Sequence, residues 1–246
     1  MNRVLTRHPR FATAALLALL ASCSATHPTA TDTLAPIPEE SVRPGINKDF
    51  LAPEVDLAKF TQRFEGESRE VFVHRHRIVA ALDLKPGARV ADVGAGTGAF
   101  LQPFAKAVGA EGRVYAVDIA PDFVANLKHR AEQSGLHQVE AVQCTAKSAQ
   151  LPAASVDVAF VCDTYHHFEY PRNTLHSLRH AIRPGGQLVI VDFERIPGKS
   201  RAWTLNHVRC GKATVIREAI AAGFRFHDEV AVRGLHENYL IRFHRD

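Results

Sequence analysis

The sequence predicts an α/β fold with a mostly parallel sheet, because strand-like and helix-like segments alternate from about residue 67 to the end. Short apolar runs that end in glycine are typical of buried strands, and the segments between them carry apolar residues at helical spacing. A chain of 246 residues has room for one sizeable α/β domain with short extensions. In such a fold, ligands bind at the carboxyl ends of the strands.

Residues that break the apolar pattern delimit the predicted elements. The segment Leu84-Lys-Pro-Gly87 follows the first helix, Gly109 follows the second, and Pro121 opens the third. The predicted helices are residues 67–82, 100–108, 121–134, 171–182 and 213–222. The predicted strands are residues 89–93, 114–117, 139–142, 156–161, 187–193, 224–230 and 239–243, which gives seven strands in one open sheet.

The first 22 residues have the composition of a secretory signal peptide. Residues 1–10 are basic, and residues 12–21 form an apolar run of about ten residues, too short to cross a bilayer about 30 Å thick. The following Leu20-Ala-Ser-Cys23 resembles the lipobox of bacterial lipoproteins. This resemblance implies cleavage before Cys23 and attachment of lipid to its thiol. An uncleaved or mitochondrial-type leader is the alternative.

The next segment, up to residue 53, is rich in Pro, Thr and Ala and has no helical period, which is typical of an extended tether. The predicted division is therefore a lipoprotein signal peptide over residues 1–22, a lipidated Cys23 with its tether over residues 23–53, and one domain over residues 54–246. The other three cysteines have no CxxC spacing, and we expect them to be buried small side chains.

The charge of the chain gives no sign of a nucleic-acid partner. Its net charge of +4 includes three arginines within the first 22 residues, where there is no acid. The remainder carries 27 basic and 26 acidic residues, and such a neutral domain lacks the basic surface that nucleic acids require. No zinc ligand set is evident either, because His74 and His76 have alternating spacing on a predicted helix. We therefore expect no metal.

A glycine-rich loop follows the first predicted strand and precedes a helix. The stretch Val90-Ala-Asp-Val-Gly-Ala-Gly-Thr-Gly-Ala-Phe100 has the context of a nucleotide-binding turn, in which glycine lets a ligand approach the backbone. Gly94, Gly96 and Ala99 also satisfy the dinucleotide pattern GxGxxG/A. This loop by itself is therefore compatible with a nicotinamide-dependent oxidoreductase.

Two acids flank this loop at the ends of neighbouring strands. Asp92 lies two residues before the first glycine, where it can accept hydrogen bonds from a ligand ammonium group, which methionine has and NAD lacks. Asp118 ends the second strand, where it can bind both hydroxyls of a ribose. Asp92 thus favours a methionine-containing nucleoside, whereas Asp118 suits either cofactor.

The chain resembles the class I methyltransferases over about residues 67–245. Asp92-Val-Gly-Ala-Gly-Thr-Gly98 is similar to their motif I, Asp118-Ile119 to motif II, and Arg183-Pro-Gly-Gly-Gln-Leu188 to the turn before their fifth strand. The likeness is strongest to the small-molecule enzymes of ubiquinone and menaquinone biosynthesis. It implies a Rossmann-like three-layer sandwich, whose seven-stranded sheet is mostly parallel with its last strand antiparallel.

The same resemblance implies S-adenosylmethionine as the cofactor. Asp92 and the loop residues Gly94, Ala95, Gly96 and Gly98 would hold its methionine part, Asp118 its ribose and Ile119 its adenine ring.

The sequence departs from this family after the third strand, where an acid often receives the adenine amino group. Residues 143–150 contain no acid, so Thr145, Ser148 or a backbone carbonyl would have to take its place.

Candidate catalytic residues follow the fourth strand in Asp163-Thr-Tyr-His-His-Phe-Glu169. His166 or His167 could remove a proton from an acceptor, because imidazole titrates near neutral pH. Asp163 could orient one of these rings or contact the ammonium group of the cofactor. We expect Tyr165 and Phe168 to face the core.

Asp192 ends the fifth strand on the same rim, and the following segment with Trp203 and His207 could form part of a lid.

The sequence thus predicts a methyltransferase with a small, apolar or phenolic acceptor, anchored to a bacterial envelope membrane through Cys23. A cytosolic location is the alternative. A nicotinamide oxidoreductase and a noncatalytic nucleoside-binding lipoprotein are the alternative functions. The noncatalytic alternative arises because S-adenosylmethionine is kept in the cytosol, whereas a lipoprotein signal directs export.

Overall fold

A computed structural model describes Met1, residues 34–66 and residues 69–246. The predicted signal peptide, Cys23 and the first part of the tether lie outside these residues. Among the residues that the structure describes, no helix is both long and apolar enough to cross a membrane.

The strands and helices alternate as the sequence predicts. The strands are β1 (Arg89–Val93), β2 (Arg113–Asp118), β3 (Val139–Gln143), β4 (Val156–Cys162), β5 (Ile182–Phe193), β6 (Arg225–Glu229) and β7 (Asn238–His244). The helices are α1 (Leu57–Phe64), α2 (Glu70–Val73), α3 (Arg75–Ala81), α4 (Leu101–Val108), α5 (Pro121–Gln133), α6 (Pro171–Ala181), α7 (Ala202–His207) and α8 (Lys212–Ala221). A short 3₁₀ turn, Tyr165–His167, follows β4.

The seven strands form one sheet in the order β3-β2-β1-β4-β5-β7-β6. The pairs among β1 to β5 are parallel, and β7 runs antiparallel to both of its neighbours. The sheet expected from the resemblance, mostly parallel with its last strand antiparallel, is therefore confirmed.

Helices cover both faces of this sheet. Side chains alternate along each strand, so that Val90 and Phe160 face α3 and α4, whereas Ala91 and Val161 belong to the opposite apolar cluster, which includes α6 and α8. The result is the predicted three-layer sandwich, with an apolar core on each side of the sheet.

Two predicted elements differ in the structure. The helix predicted over residues 67–82 is divided into α2 and α3 at His74, whose ring lies against Gly234 so closely that a Cβ there would be 2.1 Å from Nε2. The turn Arg183-Pro-Gly-Gly lies within β5 as a bulge. Val156 pairs with Ile182 and Val158 pairs with Gln187, so the four residues 183–186 lie opposite Asp157 alone.

The second half of the segment predicted as a tether packs on the domain. The Glu39 carboxylate accepts hydrogen bonds from the backbone N–H groups of Arg172 and Asn173 at the start of α6, both at 2.9 Å. The Asn173 side chain in turn bonds the backbone of Ile37. The Pro, Thr and Ala content conceals these few anchoring side chains, so composition alone indicates an extended chain.

Candidate functional site

A cavity of about 180 Å³ opens at the carboxyl ends of β1, β2, β4 and β5. This volume is far larger than the roughly 10–15 Å³ that one water needs, so the cavity can take an organic ligand. Its walls come from the glycine loop, the ends of the strands, the turn after β4, α7 and the segments 47–64 and 69–72. In open α/β sheets ligands generally bind at the carboxyl ends of the strands, and this cavity has that position.

The glycine loop forms one wall of the cavity through Gly94, Ala95 and Gly96. Gly94 has a φ of +76°, and a Cβ there would lie 2.2 Å from Cγ2 of Thr164, so glycine is required both by conformation and by space. The backbone N–H of Gly96 donates to Oδ2 of Asp118 at 2.8 Å, which fixes the loop to the end of β2.

Gly98, which the resemblance assigned to the cofactor, does not line the cavity. Its Cα lies behind the loop, where a Cβ would be 2.9 Å from Leu101 and 3.1 Å from Leu127. With a φ of +94°, Gly98 serves the packing of the loop on α4 and α5. Its contact with the cofactor stays a prediction.

Asp92 is a buried acid that faces the cavity. Burial, and to a lesser extent the charge of Asp118, raises the pKa of Asp92 to about 8. Within the described part of the chain, no group donates a hydrogen bond to its Oδ2 atom. A buried carboxyl group without a partner is costly, and a ligand ammonium group would satisfy it. The residue thus fits the role predicted for it.

Asp118 is also buried at the cavity wall, and desolvation raises its pKa. Its Oδ1 atom accepts from the N–H of Ala120 at 2.9 Å, and its Oδ2 atom from Gly96 at 2.8 Å. A carboxylate has about four acceptor positions, so two remain for the hydroxyls of a ribose. Ile119 lies beside it in the lining, as predicted.

The candidate adenine end of the cavity contains Thr145 and Ser148. Their backbones form an isolated antiparallel bridge, with Thr145 N–H donating to the Ser148 carbonyl at 2.9 Å. Each side-chain oxygen accepts one backbone N–H, from Lys147 at 3.3 Å and from Gln150 at 3.1 Å respectively. Both hydroxyls keep further acceptor capacity, so either can receive an amino group.

Asp163 lies in the cavity wall, but it orients neither histidine. Its carboxylate forms an ion pair with Arg69 and accepts a hydrogen bond from Nδ2 of Asn238 at 2.5 Å. Burial raises the pKa of Asp163 to about 6, although the charge of Arg69 opposes this shift. The backbone is left-handed here, with a φ of +49°. Arg69 and Asn238 were not predicted as site residues, since neither belongs to a motif.

The acid that orients a histidine is Asp192, at the end of β5. Its Oδ1 atom lies 2.7 Å from Nδ1 of His166, and its Oδ2 atom accepts the backbone N–H of His166 at 3.0 Å. A carboxylate only accepts, so the proton of a neutral His166 ring is on Nδ1 and its Nε2 atom is free to take a proton. This acid–imidazole pair is the arrangement that general-base catalysis uses.

Three imidazole rings lie together beside this pair. The ring centroid of His167 is 4.4 Å from that of His166 and 5.0 Å from that of His207, and Nε2 of His167 is 3.2 Å from Nε2 of His207. Burial lowers the pKa of His167 to about 2 and that of His207 to about 4, so both rings are neutral at pH 7. The ring of Trp203 stacks on His207 at 4.7 Å. Sequence spacing gave no sign of this cluster, because His207 is remote along the chain.

Aromatic residues of the N-terminal segment close the cavity opposite the strands. Phe50 and Phe64 line it and belong to an apolar cluster with Phe60 and Phe123. Asn47 donates from Nδ2 to the carbonyl of His167 at 3.1 Å, which attaches this segment to the turn after β4. Residues Asn47 and Phe50, from the segment predicted as a tether, therefore belong to the wall of the cavity.

Known proteins similar to this chain agree with the predicted resemblance. Residues 91–190 match the family described as a methyltransferase domain. A ubiquinone/menaquinone biosynthesis C-methyltransferase of Burkholderia mallei is 27% identical over 118 residues, which are 48% of each protein. The chain therefore spans about half the length of the curated relatives it matches.

Two solved structures extend the likeness to the whole fold. A SAM-dependent methyltransferase from Aquifex aeolicus is 26% identical, with a TM-score of 0.68 over 77% of this chain and 98% of that one. The [4+2]-cyclase SpnF is 24% identical, with a TM-score of 0.56 over 65% of this chain and 59% of that one. The second comparison shows a shared fold alone, and that protein is named for a different reaction, a [4+2] cyclisation.

Proposed function

We propose, since the chain carries a class I S-adenosylmethionine-dependent methyltransferase domain, that it transfers a methyl group to a small-molecule acceptor bound against the imidazole side of its cavity. One observation carries this proposal. The candidate cofactor residues Asp92, Gly94 and Asp118 line the same cavity as His166, whose ring is held from behind by Asp192. A cofactor and an acceptor bound there would be neighbours.

The cofactor fits the residues at its end of the cavity. Asp92 would bind the ammonium group, Asp118 the ribose hydroxyls, and the loop at Gly94–Gly96 would let the ligand lie against the backbone. S-adenosylmethionine supplies an electrophilic methyl group on a positively charged sulfur. Everything else that the reaction requires must come from the chain and the acceptor.

The chain supplies alignment and a dry site. Methyl transfer is an in-line displacement in which positive charge is lost, so holding the two reactants in contact contributes most of the acceleration. Phe50, Phe193 and Trp203 give the acceptor end apolar walls. These walls favour an acceptor with an apolar or aromatic body, such as a phenol.

His166 is the proposed proton acceptor. An acceptor that attacks through a hydroxyl or an acidic carbon loses a proton, and Nε2 of His166 can take it while Asp192 holds the Nδ1 proton. The buried carboxylate then stabilises the imidazolium that forms. His167 is a poorer base, because its pKa is lowered to about 2 by burial and by its neighbours.

Calorimetric titration of the chain from Ser24, with S-adenosylmethionine, S-adenosylhomocysteine and NADH, tests the cofactor. We expect micromolar binding of the two adenosyl ligands, loss of that binding in Asp92→Ala and Asp118→Ala, and no heat with NADH. If the folded protein binds neither adenosyl ligand, the proposal is contradicted. A binding heat with NADH would favour an oxidoreductase.

Release of S-adenosylhomocysteine then reports turnover on a panel of phenols, quinols and carbon acids. Tight cofactor binding without turnover on the panel would favour a noncatalytic nucleoside-binding protein, because the fold also supports other functions.

We also propose that the chain is anchored to a bacterial envelope membrane through lipidated Cys23. The apolar run and the Leu-Ala-Ser-Cys sequence support this proposal. Labelling with a radioactive fatty acid should mark the full chain and not Cys23→Ser. Equal labelling of both, or of neither, would favour the cytosolic alternative. Protease accessibility in spheroplasts would then tell on which side of the membrane the domain lies.

A further inference from the structure

A candidate metal site lies in the imidazole cluster, which the sequence did not indicate. One ring nitrogen from each of His166, His167 and His207 can be chosen so that all three lie within 4.8 Å of one another. All three residues line the cavity. Three converging imidazoles that leave a position open toward a cavity form the ligand set of a catalytic zinc site.

The distances are close to those that a tetrahedral ion requires. Zinc binds imidazole nitrogen at about 2.0–2.1 Å, so two nitrogens of a tetrahedral site lie about 3.3 Å apart. The Nε2 atoms of His167 and His207 already face each other at 3.2 Å. A rotation of the His167 and His207 rings toward Nε2 of His166 would complete the set, because the three ring centroids are separated by only 4.4 to 5.2 Å.

Asp192 has the position of an outer carboxylate in such a site. Metal-binding histidines usually donate their other ring N–H to a carboxylate or a carbonyl, which fixes the tautomer and makes the coordinating nitrogen more basic. The 2.7 Å contact between Nδ1 of His166 and Oδ1 of Asp192 is this interaction, and it leaves Nε2 as the coordinating atom.

Contacts from Arg43, which is remote in the chain, and from Trp203 in the same helix hold His207 in place. The Arg43 guanidinium donates to the carbonyls of His207 at 2.7 Å and Asn206 at 3.0 Å, and Trp203 stacks on the His207 ring. The ring is therefore positioned before any ligand arrives, and ordering it costs little on binding.

We propose that His166, His167 and His207 bind a divalent transition-metal ion of the zinc class, with its open position facing the acceptor end of the cavity. Nitrogen ligands suit zinc, copper, nickel and cobalt rather than magnesium or calcium. A bound ion would take the lone pair of His166 Nε2 and coordinate an oxygen of the acceptor, whose proton it would make more acidic. Only this last consequence rests on the proposed methyl transfer, and binding of the ion does not.

Zinc binding to the full chain, purified in chelator and without a histidine tag, tests this proposal. Competition with a chromophoric chelator should show one tight equivalent of Zn²⁺. His207→Gln and His167→Gln should each lower the affinity at least tenfold, and Asp192→Asn should lower it about 10–100-fold. His129→Gln, an exposed histidine of α5 outside the cluster, is the matched control and should bind as the unchanged chain does.

His207 is the decisive position, because its side chain is only half-buried on a short helix, so its substitution should leave the fold intact. Cobalt(II) provides a second measurement, since tetrahedral nitrogen coordination gives intense visible absorption, which should be lost in His207→Gln. Absence of tight zinc binding to the unchanged chain, or equal affinity in His207→Gln and His129→Gln, would overturn the proposal. Calorimetry with S-adenosylmethionine on the same metal-free samples reports the cofactor separately, so failure of one proposal is distinguishable from failure of the other.

Discussion

The Nδ1 atom of His166 lies 2.7 Å from Oδ1 of Asp192, and the backbone N–H of His166 donates to the other oxygen of the same carboxylate at 3.0 Å. Both groups are almost completely buried. The two contacts fix the position of the residue as well as the tautomer of its ring. The pair therefore joins the end of β5 to the turn after β4, at the place where we expect the acceptor.

Asp192→Asn should slow methyl transfer about 10²–10⁴-fold while leaving the affinity for S-adenosylmethionine unchanged. The amide keeps the shape of the side chain but removes the charge that stabilises an imidazolium ion. The measurement is the rate of S-adenosylhomocysteine release with an acceptor from the panel, together with calorimetry for the cofactor. Glu194→Gln is the control, because Glu194 directly follows the same strand but pairs with Lys212 outside the cavity. Equal rates in the two variants would contradict the role of Asp192.

Gly94→Ala should unfold more easily than Gly109→Ala and should lose cofactor binding. Both glycines have a positive φ, +76° and +71°, so both variants lose about 1–3 kcal/mol to backbone strain. A Cβ on Gly94 would also collide with Thr164. A Cβ on Gly109 would have no heavy atom of the described chain within 4 Å apart from its neighbours in sequence. Overpacking of this kind adds about 1–3 kcal/mol. Urea unfolding and calorimetry measure the two effects, and equal stability of the variants would show that the space at Gly94 is adaptable.

Binding of S-adenosylmethionine at pH 7 should release about one proton from Asp92. The raised pKa, about 8, leaves the carboxyl mostly protonated in the free protein, and an ammonium ion against it would favour the ionised form. Calorimetry in buffers with different ionisation enthalpies measures the proton count. Asp92→Asn should bind more weakly and release none. A proton count near zero in the unchanged chain would mean that Asp92 is ionised before the cofactor arrives.

The same carboxyl predicts how the stability of the free protein depends on pH. Its pKa is higher in the folded chain than in the unfolded chain, so the folded state holds the proton more tightly. The stability that protonated Asp92 gives to the folded state is fully present below pH 4, near the ordinary pKa of an aspartate. It is lost as pH rises through about 8, the pKa of Asp92 in the folded chain. Thermal unfolding from pH 5 to 9 should show a smaller decline for Asp92→Asn. The exposed Asp83, changed to Asn, should follow the unchanged chain.

Removal of residues 1–53 should weaken cofactor binding and destabilise the domain, whereas removal of residues 1–33 should do neither. The longer deletion removes the Asn47 contact to the carbonyl of His167 and the Phe50 ring, which lies 5.3 Å from Phe60 and 6.1 Å from Phe123. Phe50 is only partly buried, so the loss of its ring should cost less than the roughly 3–5 kcal/mol of a fully buried phenylalanine. Thermal unfolding and calorimetry of the two truncated chains test this prediction. If both behave alike, the segment 34–53 is a tether in function as well as in composition.

Much of the fold is predictable because its signals are local. The strand Arg89–Val93 has its predicted bounds, and Pro121 and Gly109 mark helix ends where the structure has them. The helix α1 was missed, because only Leu57, Phe60 and Phe64 carry its apolar face and they follow a segment rich in proline. Short amphipathic helices give weak patterns, so tertiary contacts decide them.

The candidate site is less predictable, because its contacts join residues remote in sequence. Asp92 and Asp118 were found through the glycine loop next to them, and Tyr165 and Phe168 are buried as expected. The partner of His166 was not found, because Asp192 and Asp163 both end neighbouring strands and no pattern tells which one faces the ring. The cluster with His207 depends on how α7 folds back over the sheet, and spacing along the chain carries no information about that.

The antiparallel direction of β7 has a consequence for how this cavity can change. A parallel strand in that place would bring its carboxyl end to the cavity, but β7 brings its first residue, Asn238, which pairs with Phe193 at the end of β5 and donates to Asp163. The connection over residues 230–237 therefore runs along the same rim, and Glu70 accepts hydrogen bonds from the backbone N–H groups of residues 236–238. Insertions or exchanges within this hairpin loop would reshape the acceptor end while leaving the glycine loop intact. Residues 230–237 are therefore the segment to vary first when the acceptor specificity is to be changed by laboratory evolution.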